Sequence, residues 1–130
     1  MTQTDKELLL KDLCSRLPYG VKAEITRINW DSDKEEVIVK NIKSVFPDMY
    51  AVSTINTTYS IRYVKPYLFP LSSMTEEQKR EYHELIGGMF GTSALINFEV
   101  LTDFFNKNHL DYRGLIPMGL ALDATVKNIY

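Results

Sequence analysis

Cysteine is almost missing from this 130-residue chain. Cys14 stands alone, so no disulfide can close within it and no cysteine-based zinc site can be built. Histidine is nearly as scarce: His83 and His109 lie far apart, and neither belongs to an HExxH pair. No G-x-S-x-G elbow, P-loop or G-x-G-x-x-G stretch occurs, so acyl-transfer and nucleotide chemistry lack their usual signals. No apolar run approaches the ~20 residues that cross a bilayer. The opening "MTQTDKELLL" lacks the basic lead and long apolar stretch of a signal peptide. A strong field is missing too. The formal charge is −2, with +1 in residues 1–73 and −3 in residues 74–130, which draws the chain weakly or not at all to nucleic acid or an anionic membrane. Together these absences point away from an enzyme, a cofactor, a metal or a membrane partner, and towards a reducing, cytoplasmic setting.

Enough apolar sequence is present for a buried core: 45% of residues are hydrophobic and 25% charged, ordinary globular usage. Thr4-Asp5-Lys6-Glu7 has the form of a helix capping box. Leu9, Leu10, Leu13, Cys14 and Leu17 then fall on one helical stripe, with Asp12 expected off it and Cys14 expected inside. Pro18 stops that helix. The period next changes from helical to two. Val21, Ala23 and Ile25 alternate with Lys22, Glu24 and Thr26, predicting a half-buried strand. "NWDSDK" (29–34) is a turn, Val37 and Val39 carry a second strand, "FPDM" turns the chain, and "YAVST" (50–54) is a third. Tyr59, Ile61 and Tyr63 alternate with Ser60 and Arg62 in a fourth, with the two tyrosines expected on the core side. "VKPYLFPLSSM" (64–74), with two prolines, is expected to be an irregular joint and not a central strand.

Thr75 and Gln78 frame a second capping box, opening a helix that buries Tyr82, Leu85, Ile86 and Met89 and ends at Gly87-Gly88. A further helix is expected from about Asn97, burying Phe98, Leu101, Phe104 and Phe105. The predicted fold is α+β: an N-terminal helix, a small antiparallel SH3-like or Sm-like barrel or curled sheet over residues 1–73, then a helical C-terminal segment, 74–130, docked on it as one compact unit.

Two places could carry function. In "NHLDYRGLIPMGLALDA" (108–124), Asp111 is a good N-cap for a short helix containing Tyr112, Arg113 and Gly114. Asp111 and Arg113 are two apart and do not share a helical face, so Arg113 needs a carboxylate or carbonyl from an earlier element, or from a partner. The trio is therefore read first as a clasp holding the C-terminal segment, with Leu115, Ile116, Leu120 and Leu122 supplying burial. A partner-facing hot spot is the alternative. The second place is a nucleic-acid face built from Lys22, Arg27, Arg62 and Lys65 beside tyrosines, as small barrels stack single strands. "DSDKEE" (31–36) superficially resembles a calcium loop but has Glu36 where glycine is needed and Ile42 where glutamate is, so it reads as a solvated hairpin tip.

Three blocks, "LLLKDLCSRLPYGVK" (8–22), "VKPYLFPLSSMTEEQK" (64–79) and "NKNHLDYRGLIPMGLALDA" (106–124), resemble a family of small uncharacterised proteins encoded in gut Bacteroidales genomes and their phages or integrated elements. The resemblance implies a mobile-element or accessory context and no catalytic residue. Family members usually carry a charged pair where this chain has Pro117-Met118, which puts the extent of the last helix in question. The expected function is a non-catalytic protein-interaction or adaptor module. A nucleic-acid-binding small barrel is the alternative, and the apolar last third can serve packing within one chain or between two in a homodimer.

Overall fold

A computed structural model describes residues 1–88, 94–127 and 129–130, and side chains except those of 88–97 and 128. Helix α1 spans Gln3–Arg16. Its capping box uses Thr2 and Asp5, two residues earlier than expected: the Asp5 amide donates to Thr2 Oγ1 and the Thr2 amide to Asp5 Oδ2. The same carboxylate-for-amide exchange occurs, with Asp doing what Glu usually does. Leu9, Leu10 and Leu13 are buried, and so are Asp12 and Arg16. Cys14, expected inside, is exposed, and the partial burial of its thiol pushes its pKa up, which suppresses the thiolate.

The chain then forms β1 (Val21–Asn29) and β2 (Lys34–Ile42), an antiparallel hairpin in which Ile25 faces Ile38 and Arg27 faces Glu36. Val21, Ala23 and Ile25 are buried, as their alternation requires. Val37 and Val39, which mark the second strand, are exposed, because Ile38 and Ile42 hold the core side of β2 and the period of two sends their neighbours out. Three short strands follow: β3 (Ser44–Phe46), β4 (Ala51–Ser53) and β5 (Thr58–Ser60), forming a separate antiparallel sheet in the order β3-β4-β5. A 3-10 turn at Ile61–Tyr63 breaks the alternation expected there. Ile61 goes in, while Tyr63 turns out and is exposed.

The supposed joint is a strand. β6 (Val64–Leu68) lies inside the larger sheet, whose order is β2-β1-β6-β7. Val64, Pro66, Tyr67 and Leu68 are buried, and Pro66 faces Ala23 at the pairing with β1. Buried Val64, Tyr67 and Leu68 around Pro66 carry enough apolar surface to hold a strand despite its missing donor. The sheets do not close into a barrel, since the meander divides between two sheets and the larger one is finished by a parallel strand, β7 (Leu122–Asp123).

Thr75 and Gln78 exchange the expected capping bonds ahead of α2 (Glu76–Gly88). Tyr82, Leu85 and Ile86 are half-buried, and Met89 lies outside the described residues. α3 (Ala94–Lys107) starts before Asn97 and buries Phe104, but Phe98 is exposed. Among the described residues no α-helix follows Asp111, only a 3-10 turn at Ala124–Val126. Gly114 and Gly119 both sit at φ +76°, a region that glycine reaches freely and a helix cannot contain. The last quarter is therefore a looping strap and not the helical end expected. It docks by pairing: the Phe69 amide donates to His109 O at 2.8 Å and the Asp111 amide to Phe69 O at 2.8 Å. One core unites both halves, joining Leu9 and Leu13 of α1, Val21, Ile25, Val64 and Leu68 of the sheet, and Leu115 and Leu120 of the strap. No described helix is long and apolar enough to cross a membrane.

Candidate functional site

Asp12 lies on α1 one turn before Arg16, and both side chains are 0% exposed. Arg16 Nε donates to Asp12 Oδ2 at 2.8 Å and Nη2 to Oδ1 at 3.1 Å, a bidentate pair. Arg16 Nη2 also donates to the Leu110 carbonyl at 2.7 Å, tying α1 to the start of the strap. Arg113 Nε donates to the same Asp12 Oδ1 at 3.1 Å, so one buried carboxylate serves two guanidinium groups. The sequence left Arg113 in need of an earlier partner; Asp12 is that partner. Tyr112 lies under both cations, 4.8 Å from Arg113 Cζ and 5.5 Å from Arg16 Cζ, and stacks on Phe105 at 5.1 Å. Its hydroxyl accepts from Arg113 Nη2 at 2.8 Å.

Asp111 does not start a helix. Its carboxylate accepts the Leu115 amide at 2.8 Å and the Ile116 amide at 2.9 Å, closing a loop around Gly114. The trio is thus woven into the interior, and Arg113 is only 18% exposed. Beside it, His109 stacks on Tyr130 at 3.8 Å between ring centres. Burial first, then the positive charges of Arg16 and Lys22, hold its pKa down at about 4. The Tyr130 hydroxyl donates to Tyr67 O at 3.0 Å and accepts the Lys22 amide at 2.9 Å. Burial pushes the Tyr130 pKa up, so this phenol stays protonated as a donor.

The four basic residues singled out for nucleic acid are not gathered. Lys22 donates from Nζ to Ile129 O at 3.0 Å. Arg27 is paired with Glu36 at 2.6 Å, on the opposite side of β1 from Lys22 by the strand's alternation. Arg62 lies over the Tyr63 ring, and Lys65 faces Glu24 across β1–β6. No common stripe results.

What the fold does assemble is a cleft at the tip of the β1–β2 hairpin. It encloses about 820 Å³ and is lined by Arg27, Trp30, Asp31, Glu36, Tyr59 and Tyr63 among others. The hairpin supplies its floor and the Thr57–Tyr63 segment its far wall. Asn29 caps the turn, accepting the Asp31 amide at 2.9 Å and donating to Glu36 at 3.1 Å. Those bonds from Asn29, and then from Arg27, hold the Glu36 carboxyl below its usual pKa, so it is charged. Trp30, the only tryptophan in the chain, is 91% exposed. With Asp31, Glu35 and Glu36 against Arg27, the lining is acidic as well as aromatic. Sequence reasoning missed Trp30 because it sits in a turn identified by polar composition. The available signal was the size of its side chain, which a two-stranded tip cannot cover. Among the described residues no cluster of His, Cys, Asp and Glu is arranged to hold a metal ion.

No family model matches the chain, and no solved structure matches it. A stretch of 95 residues, 72% of this chain, is 35% identical to Protein STU1 of Debaryomyces hansenii, and spans 5% of that protein. So small a share of the longer chain assigns neither family nor function.

Proposed function

We propose that this protein is a non-catalytic protein-interaction module, and that it receives its partner in the cleft at the β1–β2 hairpin tip. The observation carrying this reading is Trp30, 91% exposed beside Tyr59 and Tyr63 in a concave lining. Tryptophan, tyrosine and arginine dominate the energetics of protein interfaces, the two aromatics because they bury much area at the loss of only two side-chain torsions. The excess of carboxylates favours a segment bearing Lys or Arg beside apolar side chains, with the cation near Asp31 and Glu35 or over the Trp30 face. The same charges repel phosphate, which weighs against the nucleic-acid reading built on Lys22, Arg27, Arg62 and Lys65. The Asp111-Tyr112-Arg113 trio, being engaged inside the fold, is assigned to the strap. An adaptor role in a phage or other mobile element, and a cytoplasmic setting, rest on the three resembling blocks and the lone cysteine.

Selection of a random peptide display library on the immobilised protein tests this reading. Expected are peptides combining Lys or Arg with aromatic or aliphatic residues, lost when the bait carries Trp30→Ala. Equal selection by wild type and Trp30→Ala, or retention of single-stranded oligonucleotides in its place, contradicts it.

A further inference from the structure

β2 is the outermost strand of the larger sheet, nine residues long, and among the described residues no strand pairs with its outer edge. Long edge strands invite pairing with another chain unless proline, a bulge or an inward charge blocks them. "KEEVIVKNI" contains no proline, and its pairing with β1 runs in unbroken register from Lys34 to Ile42; the two charges flanking Ile38 on its own face, Glu36 and Lys40, are of opposite sign and so can pair across a two-fold axis. Its outer face is apolar where that matters: Val37 and Val39 are 56% and 42% exposed, beside Ile28 on β1 at 53%.

We propose that β2 pairs antiparallel with β2 of a second copy about a two-fold axis at Ile38, extending two four-stranded sheets into one continuous sheet. The register follows from the sequence. Centred on Ile38, Val37 faces Val39 of the second copy, and Glu36 faces Lys40 of the second copy, twice over by symmetry. Lys40 has no ion-pair partner among the described residues, lying opposite Ala23 on β1. Shifting the centre to Val37 sets Lys34 against Lys40. Shifting it to Val39 sets Ile38 against Lys40 and Val37 against Asn41. Only the Ile38 register matches apolar to apolar and opposite charge to opposite charge, the pairings that stabilise a sheet. The two-fold symmetry makes the contact self-limiting, because each copy has one such edge. The edge shares Ile28, Glu35 and Glu36 with the lining of the Trp30 cleft, and Glu36 there also accepts from Arg27 and Asn29, but the pairing requires neither Trp30 nor a partner bound in the cleft.

Sedimentation equilibrium of the full chain tests it. Wild type is expected to show a monomer–dimer equilibrium. Lys40→Glu and Glu36→Lys alone each set like charges opposite one another at two places and are expected to weaken the dimer at least about tenfold. An equimolar mixture of the two variants restores both complementary pairs and is expected to form the heterodimer. Circular dichroism verifies folding, and Lys40→Glu alters an exposed side chain. A wild type that stays monomeric throughout, a Lys40→Glu variant that dimerises like wild type, or a mixture no more associated than its components overturns the proposal.

Discussion

Asp12 pairs with two guanidinium groups at once, that of fully buried Arg16 and that of partly buried Arg113, and removing it strands both. Breaking a buried pair by deleting one partner costs about 3–5 kcal/mol, so Asp12→Asn is expected to destabilise by about that much in urea unfolding. Arg113→Ala removes the less buried arm and the cation over Tyr112, and is expected to cost about 1–3 kcal/mol. A double-mutant cycle of Asp12→Asn with Arg113→Ala should show the two effects far from additive; additivity would mean the arm is independent. His109 makes a separate prediction. Its folded pKa near 4 lies below its ordinary 6.5, so in this range the unfolded chain binds the proton and the folded one does not. Stability is then expected to fall as pH drops from about 6.5 to about 4, by on the order of 3 kcal/mol at most, and to be unaffected by this group above pH 7. His109→Asn tolerates the local φ of +57° and should flatten that slope; an unchanged slope would place it elsewhere. At this scale Arg113's need for a partner other than Asp111 was legible from spacing, but whether a carboxylate, a carbonyl or another molecule supplied it was not. Asp12 was not, because a charged residue between Lys11 and Leu13 reads as solvated until the strap covers it.

Elements were most legible where one face is buried and the other wet. Val21, Ala23 and Ile25 announced β1 by alternation, and Thr75 with Gln78 announced α2 by capping. β6 was hidden by Pro66, whose missing donor argues against a central strand in isolation but is outweighed by the burial of its neighbours. The strap was hidden by Asp111, a residue equally suited to cap a helix or to accept two loop amides. Gly114 decides between these, and Gly114→Ala tests it. A Cβ there meets no atom within 4 Å, so the expected loss of roughly 1 kcal/mol comes from the positive φ alone. No loss of melting temperature would mean the loop relaxes. Trp30→Ala makes the complementary prediction at the hairpin. A side chain so exposed contributes little to folding, and the change is expected within about 0.5 kcal/mol of wild type in the same unfolding assay.

At the scale of the molecule, the α+β class and an N-terminal helix over a strand meander were legible, while barrel closure was not. Turn signals count strands but do not say which sheet each joins, and the pairing of β6 with β7 spans more than fifty residues of chain. The division at residue 73 marks a change of element type, since the core crosses it. A chain ending at 108 loses Leu115 and Leu120 from that core and leaves Asp12 and Arg16 without their cover. It is expected to lack a cooperative melt by circular dichroism, whereas a sharp transition would make the strap an appendage.

The central claim is that partners meet the hairpin cleft and the strap does not meet them. Because Trp30 is the only tryptophan, its emission reports that cleft alone. Titrating the protein with a panel of Lys- and Arg-containing apolar peptides is the most direct measurement. The account predicts a saturable blue shift, retained in Arg113→Ala under conditions where that variant is folded. Peptide binding with no change in Trp30 emission, or binding abolished by Arg113→Ala in the folded state, would contradict it and return the contact site to the strap.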